Sequence, residues 1–208
     1  MVLVAALAAG CASAGASGTG SGGPAAGRPG ARDASASSGV PLVRVGTPAP
    51  SQRIRFVPAA IVLPGGLRAS VEPASTVGGQ LVVPTNVRHV GWWDGGAEAG
   101  DPFGALVIAG HIDSATEGLG FFVRLLRVRV GQVVTMTDGR HQASYRVIAV
   151  RSVPKNALAT GTFDQTGPHR LVLITCTGRY DRSRGGYERN LVVTAVPTGV
   201  VEPVRSTG

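Results

Sequence analysis

The stretch Arg170-Leu-Val-Leu-Ile-Thr-Cys176, followed at once by Thr177-Gly178-Arg179, gives the clearest indication of the type of fold. A short apolar run bounded by polar and turn residues predicts a core strand. The strand ends in Cys176, the only cysteine of the region that we expect to fold, because Cys11 lies in the N-terminal segment. A lone thiol at the end of a strand is well placed to act as a nucleophile.

Two further strand-like runs carry side chains that suit the same chemistry. Val107-Ile-Ala-Gly-His-Ile-Asp-Ser114 ends an apolar run with His111, and Tyr187-Glu-Arg-Asn-Leu-Val-Val193 places Arg189 just before another. A thiol with a pKa of about 8.5 is mostly protonated at neutral pH, so it needs a base or a cation nearby. His111 can supply either, and Arg189 can hold a developing oxyanion. Together these residues predict acyl transfer through a thiol.

The residues after Cys176 offer backbone hydrogen-bond donors, and each candidate residue also has a non-catalytic interpretation. The N–H groups of Thr177 and Gly178 follow the cysteine and can add to an oxyanion site. Taken alone, a strand cysteine is more often a small core residue, and a strand-end arginine is more often a surface charge. His141 and His169 lie in polar, turn-like stretches, where we expect them to be solvated.

Composition favours a turn-rich β protein. The chain has 208 residues, 43% hydrophobic and only 15% charged, with 31 glycines and 14 prolines. Its net charge of +8 comes almost entirely from scattered arginines, since Lys155 is the only lysine. Without a basic stripe, and with 5% aromatic residues, the composition argues against nucleic-acid binding.

The pattern of short apolar runs predicts a mainly β domain, a closed barrel with one or two short helices. Asp138-Gly139 is a hairpin turn signal, and Gly120–Arg129 has apolar residues at helical spacing. The predicted strands are Gln52–Val57, Ala60–Leu63, Ala69–Val71, Leu81–Val83, Ala105–Ala109, Val133–Thr137, Ala143–Val153, Arg170–Thr175 and Leu191–Val196.

The N-terminal quarter has a different character. Residues 1–11 are apolar and end in Ala-Ala-Gly-Cys11, which predicts either a lipoprotein-type signal with a lipidated cysteine or a truncated membrane anchor. Residues 12–50 are rich in Gly, Ser, Ala and Pro and predict a flexible tether. We therefore expect an exported catalytic domain at 51–200, held at the outer face of the membrane, and a flexible tail at 201–208.

The order of the motifs resembles sortases, the bacterial cysteine transpeptidases, and in particular the class F type of high-GC Gram-positive bacteria. The resemblance covers about Arg53 to Pro197. The segments that carry it are Val90-Gly-Trp-Trp93, Ala105-Leu-Val-Ile-Ala-Gly-His-Ile-Asp-Ser114, Val153-Pro-Lys155, Leu173-Ile-Thr-Cys-Thr-Gly178, Tyr180-Asp181 and Tyr187–Asn190.

The resemblance implies an eight-stranded closed β-barrel of the sortase type. It also implies that Cys176 attacks the Thr–Gly bond of an LPXTG-like sorting signal and that an amine from a wall precursor or a pilin releases the thioacyl enzyme. It further implies His111 as the general acid, Arg189 at the oxyanion, and Thr175 as a substrate contact. Family members often carry the arginine one place earlier, where this chain has Glu188, so three neighbouring arginines compete for the role: Arg179, Arg182 and Arg184.

Several functional alternatives follow from the same residues. An L,D-transpeptidase should show a Ser-His-Gly-Cys-like signature, and an NlpC/P60 amidase should place its cysteine before its histidine; neither holds here. A surface lipoprotein barrel that only binds a partner, a degenerate sortase, remains the alternative. No motif points to a cofactor, and we expect neither a metal nor a nucleic-acid partner. The loop with the carboxylates Asp94, Glu98 and Asp101 lacks the regular ligand spacing of a calcium site. We expect the protein to be a monomer.

Overall fold

The computed structural model describes residues 53–158, 160–184 and 186–204, without the side chains at positions 156, 160 and 184. The predicted signal segment 1–11 and tether 12–50 lie outside the described residues. The strands are β1 (Ala60–Leu63), β2 (Leu67–Ala74), β3 (Thr76–Val77), β4 (Gln80–Leu81), β5 (Val90–Trp93), β6 (Ala105–Ala109), β7 (Asp113–Ser114), β8 (Gly118–Leu119), β9 (Val133–Thr137), β10 (His141–Pro154), β11 (Arg170–Asp181), β12 (Gly186–Pro197) and β13 (Glu202–Pro203).

Eight of these strands close into a barrel. Hydrogen-bonded neighbours follow the order β12, β11, β6, β5, β2, β1, β9 and β10, and a second pairing of β10 with β12 closes the sheet. The pairs β6–β11 and β2–β5 are parallel, and the other pairs in the barrel are antiparallel. The predicted fold, a mainly β, eight-stranded closed barrel with short helices, is confirmed.

The core lies on both faces of β6 and β11. Leu171 and Leu173 point into the barrel and belong to its main hydrophobic cluster. Val172 and Ile174 point outward and pack in a second cluster with Ala105, Val107 and Ala109 of β6. Because both faces are buried, these parallel strands are continuous apolar runs without polar alternation, as the sequence shows.

The clearest local predictions are those with a strong pattern. The alternation along β10 is real, since Tyr145 and Val147 are each 1% exposed while Ile148 is 51% exposed. The hairpin turn between β9 and β10 is also present, with Gly139 at φ 92°. The main-chain N–H groups of the next two residues donate to Oδ1 of Asp138.

Other local predictions need correction. The described part of Gln52–Val57 contains no strand, because only Phe56 forms a bridge, to Ala99. The strand expected at Leu81–Val83 is instead the two-residue β4. Val90–Trp93 forms β5, which was not predicted because a glycine and two tryptophans interrupt its apolar pattern. The helix expected over Gly120–Arg129 is a 3-10 helix, Phe121–Arg127, that buries both of its phenylalanines.

The ends of the described region add two facts. Within the segment 201–208, Glu202–Pro203 pair with His141 and Gln142 of β10 as β13, and residues 205–208 lie outside the described part. Over the described ranges, none of the helices is both long and apolar enough to cross a membrane.

Candidate active site

Two parallel neighbouring strands bring His111 and Cys176 to the same edge of the barrel. The register of β6 and β11 pairs Ala105 with Arg170 and ends with Ala109 paired to Ile174. His111 and Cys176 each lie two positions beyond that last pair. Because parallel strands advance together, this register aligns His111, just past the end of β6, with Cys176 in the middle of β11.

A buried hydrogen bond holds these two strand ends together. The Thr175 hydroxyl donates to the carbonyl oxygen of Gly110 at 2.8 Å, and the Gly110 N–H donates to the carbonyl oxygen of Ile174 at 3.1 Å. Thr175 is 2% exposed. The residue before the cysteine is thus bonded to the residue before the histidine. With its hydroxyl committed to Gly110, Thr175 offers a substrate only its backbone, and its role as a substrate contact stays a prediction.

Cys176 lies on the outer face of the barrel wall. It pairs with Asn190 of β12 and is two positions from Ile174, so it shares the face of the outer hydrophobic cluster. The thiol is half-buried and forms no disulfide with any described residue. Partly buried Leu158 and Phe163 extend the cluster, which therefore forms an apolar surface adjoining the thiol.

Three influences act on the pKa of the Cys176 thiol. Burial is the largest and raises the pKa, the positive charge of Lys155 lowers it, and the negative charge of Asp113 raises it further. The net pKa is raised above the ordinary value for a cysteine. Sequence reasoning missed Lys155 as a site residue, although its uniqueness as the only lysine was a usable signal.

Asp113 is bonded to a tyrosine across the site. The Tyr187 hydroxyl donates to Oδ2 of Asp113 at 2.5 Å, and this hydrogen bond is the main cause that raises the pKa of Tyr187 to about 12. Tyr187 pairs with Tyr180 of β11, and the two rings meet edge to face with centroids 5.2 Å apart. The segment after His111 is therefore tied to the start of β12.

Arg189 has a different orientation from the one its predicted role requires. It pairs with Thr177 on one side and Pro154 on the other, one position out of step with Cys176. Its Nε donates to Oγ of Ser152 at 2.7 Å, and its Nη2 donates to the Ser152 carbonyl oxygen at 2.6 Å. The strand register thus aligns His111 with Cys176, while hydrogen bonds hold the Arg189 guanidinium against β10.

The remaining predicted residues surround a bulge in β11. The register of β11 and β12 shifts between Thr177 and Tyr180, and Gly178 lies within the shift at φ 88°. A Cβ at Gly178 would lie 3.3 Å from Cγ and Cδ of Arg189, so the arginine stem packs against this glycine. Of the competing arginines, Arg179 and Arg182 are exposed, and the side chain of Arg184 lies outside the description.

The other histidines have partners of their own. His141 Nδ1 lies 3.1 Å from Oδ2 of Asp138, at the hairpin turn. His169 corrects our expectation of a solvated side chain: it is 7% exposed, its Nε2 is 3.0 Å from the Tyr145 hydroxyl, and burial lowers its pKa. Its neighbours in sequence are polar, but the chain turns inward there to start β11.

The tryptophans and the carboxylate loop have structural contacts. Trp92 is buried and Trp93 is half-buried. In the carboxylate loop, Arg55 contacts Glu98 at 3.8 Å and Asp101 at 3.6 Å. Across the described ranges, no group of three or more His, Cys, Asp or Glu side chains could hold a metal ion.

Comparisons with known proteins agree with this geometry. A family model described as the sortase domain matches residues 66–198. Sortase A of Listeria monocytogenes is similar in structure at 17% identity, with a TM-score of 0.54 over 72% of this chain and 92% of that one. The SrtA sortase from Actinomyces oris is 18% identical, with a TM-score of 0.53 over 74% of this chain and 84% of that one. Sortase C1 from Streptococcus agalactiae is 18% identical, with a TM-score of 0.51 over 68% of this chain and 67% of that one. No curated protein sequence matches the chain significantly. At these identities the structures share a fold, and the family model covers more than half of the chain.

Proposed function

The chain belongs to the sortase family, and on that premise we propose that it cleaves an LPXTG-like sorting signal through a thioacyl intermediate on Cys176 and transfers the acyl group to an amine. The observation that supports this proposal is the parallel register of β6 and β11, which aligns His111 with Cys176 two positions beyond the last pair. A histidine within reach of a thiol is the minimal pair for acyl transfer with proton donation to a leaving amine.

The first half-reaction follows from the side chains at the site. The thiolate of Cys176 attacks the threonyl carbonyl carbon, and the C–Sγ bond forms as the carbonyl oxygen takes the negative charge. The oxyanion collapses, the C–N bond breaks, and His111 gives its proton to the departing amine. The apolar cluster adjoining the thiol suits the leucine and proline side chains of such a signal.

Arg189 is our assignment for the oxyanion partner. Its stem lies against Gly178, two residues from Cys176, and its guanidinium is held by two neutral oxygens of Ser152. The hydrogen bonds from the guanidinium to Ser152 reach neutral oxygens, whereas an oxyanion adds the attraction of a full negative charge, so a bound substrate can draw the guanidinium away from Ser152. The backbone N–H groups of Thr177 and Gly178, next to the bulge, supply further donors, and Thr175 contributes through its backbone.

We further propose that the protein is an exported monomer at the outer face of the membrane, and that its acceptor amine belongs to a wall precursor or a pilin. Assignment to class F rests on the motifs around Val90–Trp93, His111 and Tyr187–Asn190. The solved structures compared above are of the A and C types.

Intact-protein mass spectrometry after incubation with a panel of LPXTG-like peptides tests the proposal. We expect the wild-type protein to gain the mass of the peptide up to its threonine, and Cys176→Ala to gain none. His111→Ala should also fail to accumulate the adduct. His141→Ala is the matched control, because that histidine lies at the hairpin turn with Asp138, and it should react like the wild type.

The arginine assignment needs its own comparison. Arg189→Ala should slow adduct formation by about a hundredfold, the usual effect of losing one oxyanion donor, while Arg179→Ala and Arg182→Ala should not. A loss in either of the latter would move the role to that arginine. If no peptide forms an adduct and Cys176 also resists alkylation, the protein is a binding barrel rather than an enzyme.

A further inference from the structure

The pair formed by Asp113 and Tyr187 has no part in the first half-reaction. Asp113 lies two residues beyond His111, is half-buried, and accepts the Tyr187 hydroxyl at Oδ2. Among the described residues, none donates a hydrogen bond to its Oδ1. A carboxylate has about four lone-pair sites, so most of its capacity to accept hydrogen bonds is open.

This carboxylate works against activation of the thiol. The negative charge of Asp113 raises the pKa of Cys176, which reduces the fraction of thiolate. A carboxylate that opposes the first step, and is near enough to Cys176 to influence the pKa of its thiol, is better explained by the second step. There the thioester carries no charge on sulfur, and the incoming amine is an ammonium ion at neutral pH.

We propose that Asp113, oriented by Tyr187, binds the ammonium group of the acyl acceptor beside the thioester, with the Tyr180 and Tyr187 rings as the adjoining wall. This acceptor site rests on the proposed function. Three observations carry it: the open Oδ1, the hydrogen bond that fixes Oδ2, and the edge-to-face pair of tyrosines with centroids 5.2 Å apart. Carboxylates and aromatic faces are the groups that attract primary ammonium ions.

The second half-reaction then balances as follows. The bound ammonium loses one proton to solvent, and its nitrogen attacks the thioester carbonyl carbon. The new C–N bond forms, the second proton passes to His111, which regains the one it gave in acylation, and the C–Sγ bond breaks. Its electron pair returns to Sγ as the thiolate. The products are an amide, the Cys176 thiolate and a protonated His111.

Partition of the thioacyl enzyme between water and an added amine tests this site. Both products come from one intermediate, so their ratio is independent of the rate of acylation. Triglycine is the charged probe, and hydroxylamine, which is largely uncharged at neutral pH, is the neutral one. We expect Asp113→Asn to lower the ratio of triglycine product to hydrolysis by about tenfold, the usual effect of losing one charge-assisted hydrogen bond, and to leave the hydroxylamine ratio unchanged.

Two variants complete the comparison. Glu117→Gln removes an exposed carboxylate from the same segment and should leave both ratios at the wild-type value. Tyr187→Phe keeps the charge of Asp113 but frees its orientation, so a smaller loss with triglycine is expected. The hydroxylamine product formed by each variant in the same experiment reports that its site is folded.

Different failures have different meanings. If Asp113→Asn lowers the triglycine and hydroxylamine ratios equally, or lowers neither, Asp113 does not bind the ammonium and the acceptor site is refuted while the enzyme stands. A slower acylation with unchanged ratios would assign Asp113 to positioning His111 instead. If the wild type forms no thioacyl adduct, the proposed function fails and the acceptor site fails with it.

Discussion

Replacement of Thr175 by valine tests whether one buried hydrogen bond positions the catalytic pair. The hydroxyl is 2% exposed and donates to the carbonyl oxygen of Gly110 at 2.8 Å, directly before His111. Valine keeps the shape and removes the donor, so a buried carbonyl oxygen loses this partner. We expect the free energy of unfolding to fall by about 1–3 kcal/mol. For a domain of this size the melting temperature should then fall by about 2–10 °C.

The same change should reduce activity more than stability alone would explain. Without the bond, the end of β6 can move relative to β11, and a displacement of about 1 Å in a catalytic group can cost about a hundredfold in rate. We expect kcat for thioester formation to fall by about tenfold or more at a temperature where the variant is fully folded. Differential scanning calorimetry and single-turnover mass spectrometry provide the two measurements.

Two further substitutions make this prediction refutable. Thr175→Ser keeps the hydroxyl and should retain most of the activity, with a small loss of stability from the missing methyl group. Thr194→Val, on the outer face of β12, removes a hydroxyl that forms no hydrogen bond among the described residues, and it should change neither quantity. If Thr175→Val matches the wild type in both measurements, the bond to Gly110 does not position the histidine.

Three other predictions concern charge and backbone conformation. Lys155→Met should slow alkylation of Cys176 at pH 7 by about twofold to fivefold and shift its pH profile upward, because the lysine lowers the pKa of the thiol, whereas Lys155→Arg should retain the wild-type profile. Gly178→Ala should destabilise the fold by about 1–2 kcal/mol in urea titrations, because φ is 88° there and the new Cβ meets the stem of Arg189 at 3.3 Å. Burial raises the pKa of Asp138, but hydrogen bonds from the turn after it lower the pKa by more, so its folded-state pKa lies below the ordinary value. A depressed folded-state pKa gives stability that is present above the unfolded-state pKa and is lost as the pH falls through the folded-state pKa. Urea titrations between about pH 5 and pH 2 should show this loss of stability, and Asp138→Asn should lack it.

The apolar parts of β6 and β11 were predictable because their signal is local. The predicted strand Ala105–Ala109 is β6, whereas β11 continues past the predicted end at Thr175 to Asp181, because its polar residues still pair with β12. That β6 and β11 are parallel neighbours is not a local property. It depends on pairing between segments far apart in the chain, which no short window of sequence reports.

The orientation of Arg189 could not be predicted for a related reason. Alternation along β12 sets Arg189 and Asn190 on opposite faces, and which of the two lies across from Cys176 depends on the pairing register of β11 with β12, which the local sequence does not report. The burial of His169 was missed because its sequence neighbours are polar and its partner, Tyr145, lies on another strand. The roles of His111, Cys176 and Arg189 stay predictions until the variants are measured.

The hydrogen bond between Thr175 and Gly110 joins residues 65 positions apart. Contacts of such high sequence separation form late, since the loop between them must close first. A growing or unfolded chain therefore carries Cys176 apart from His111, as an ordinary cysteine. The proposed activity thus requires closure of the barrel, and the alkylation rate of Cys176 should change as the chain folds.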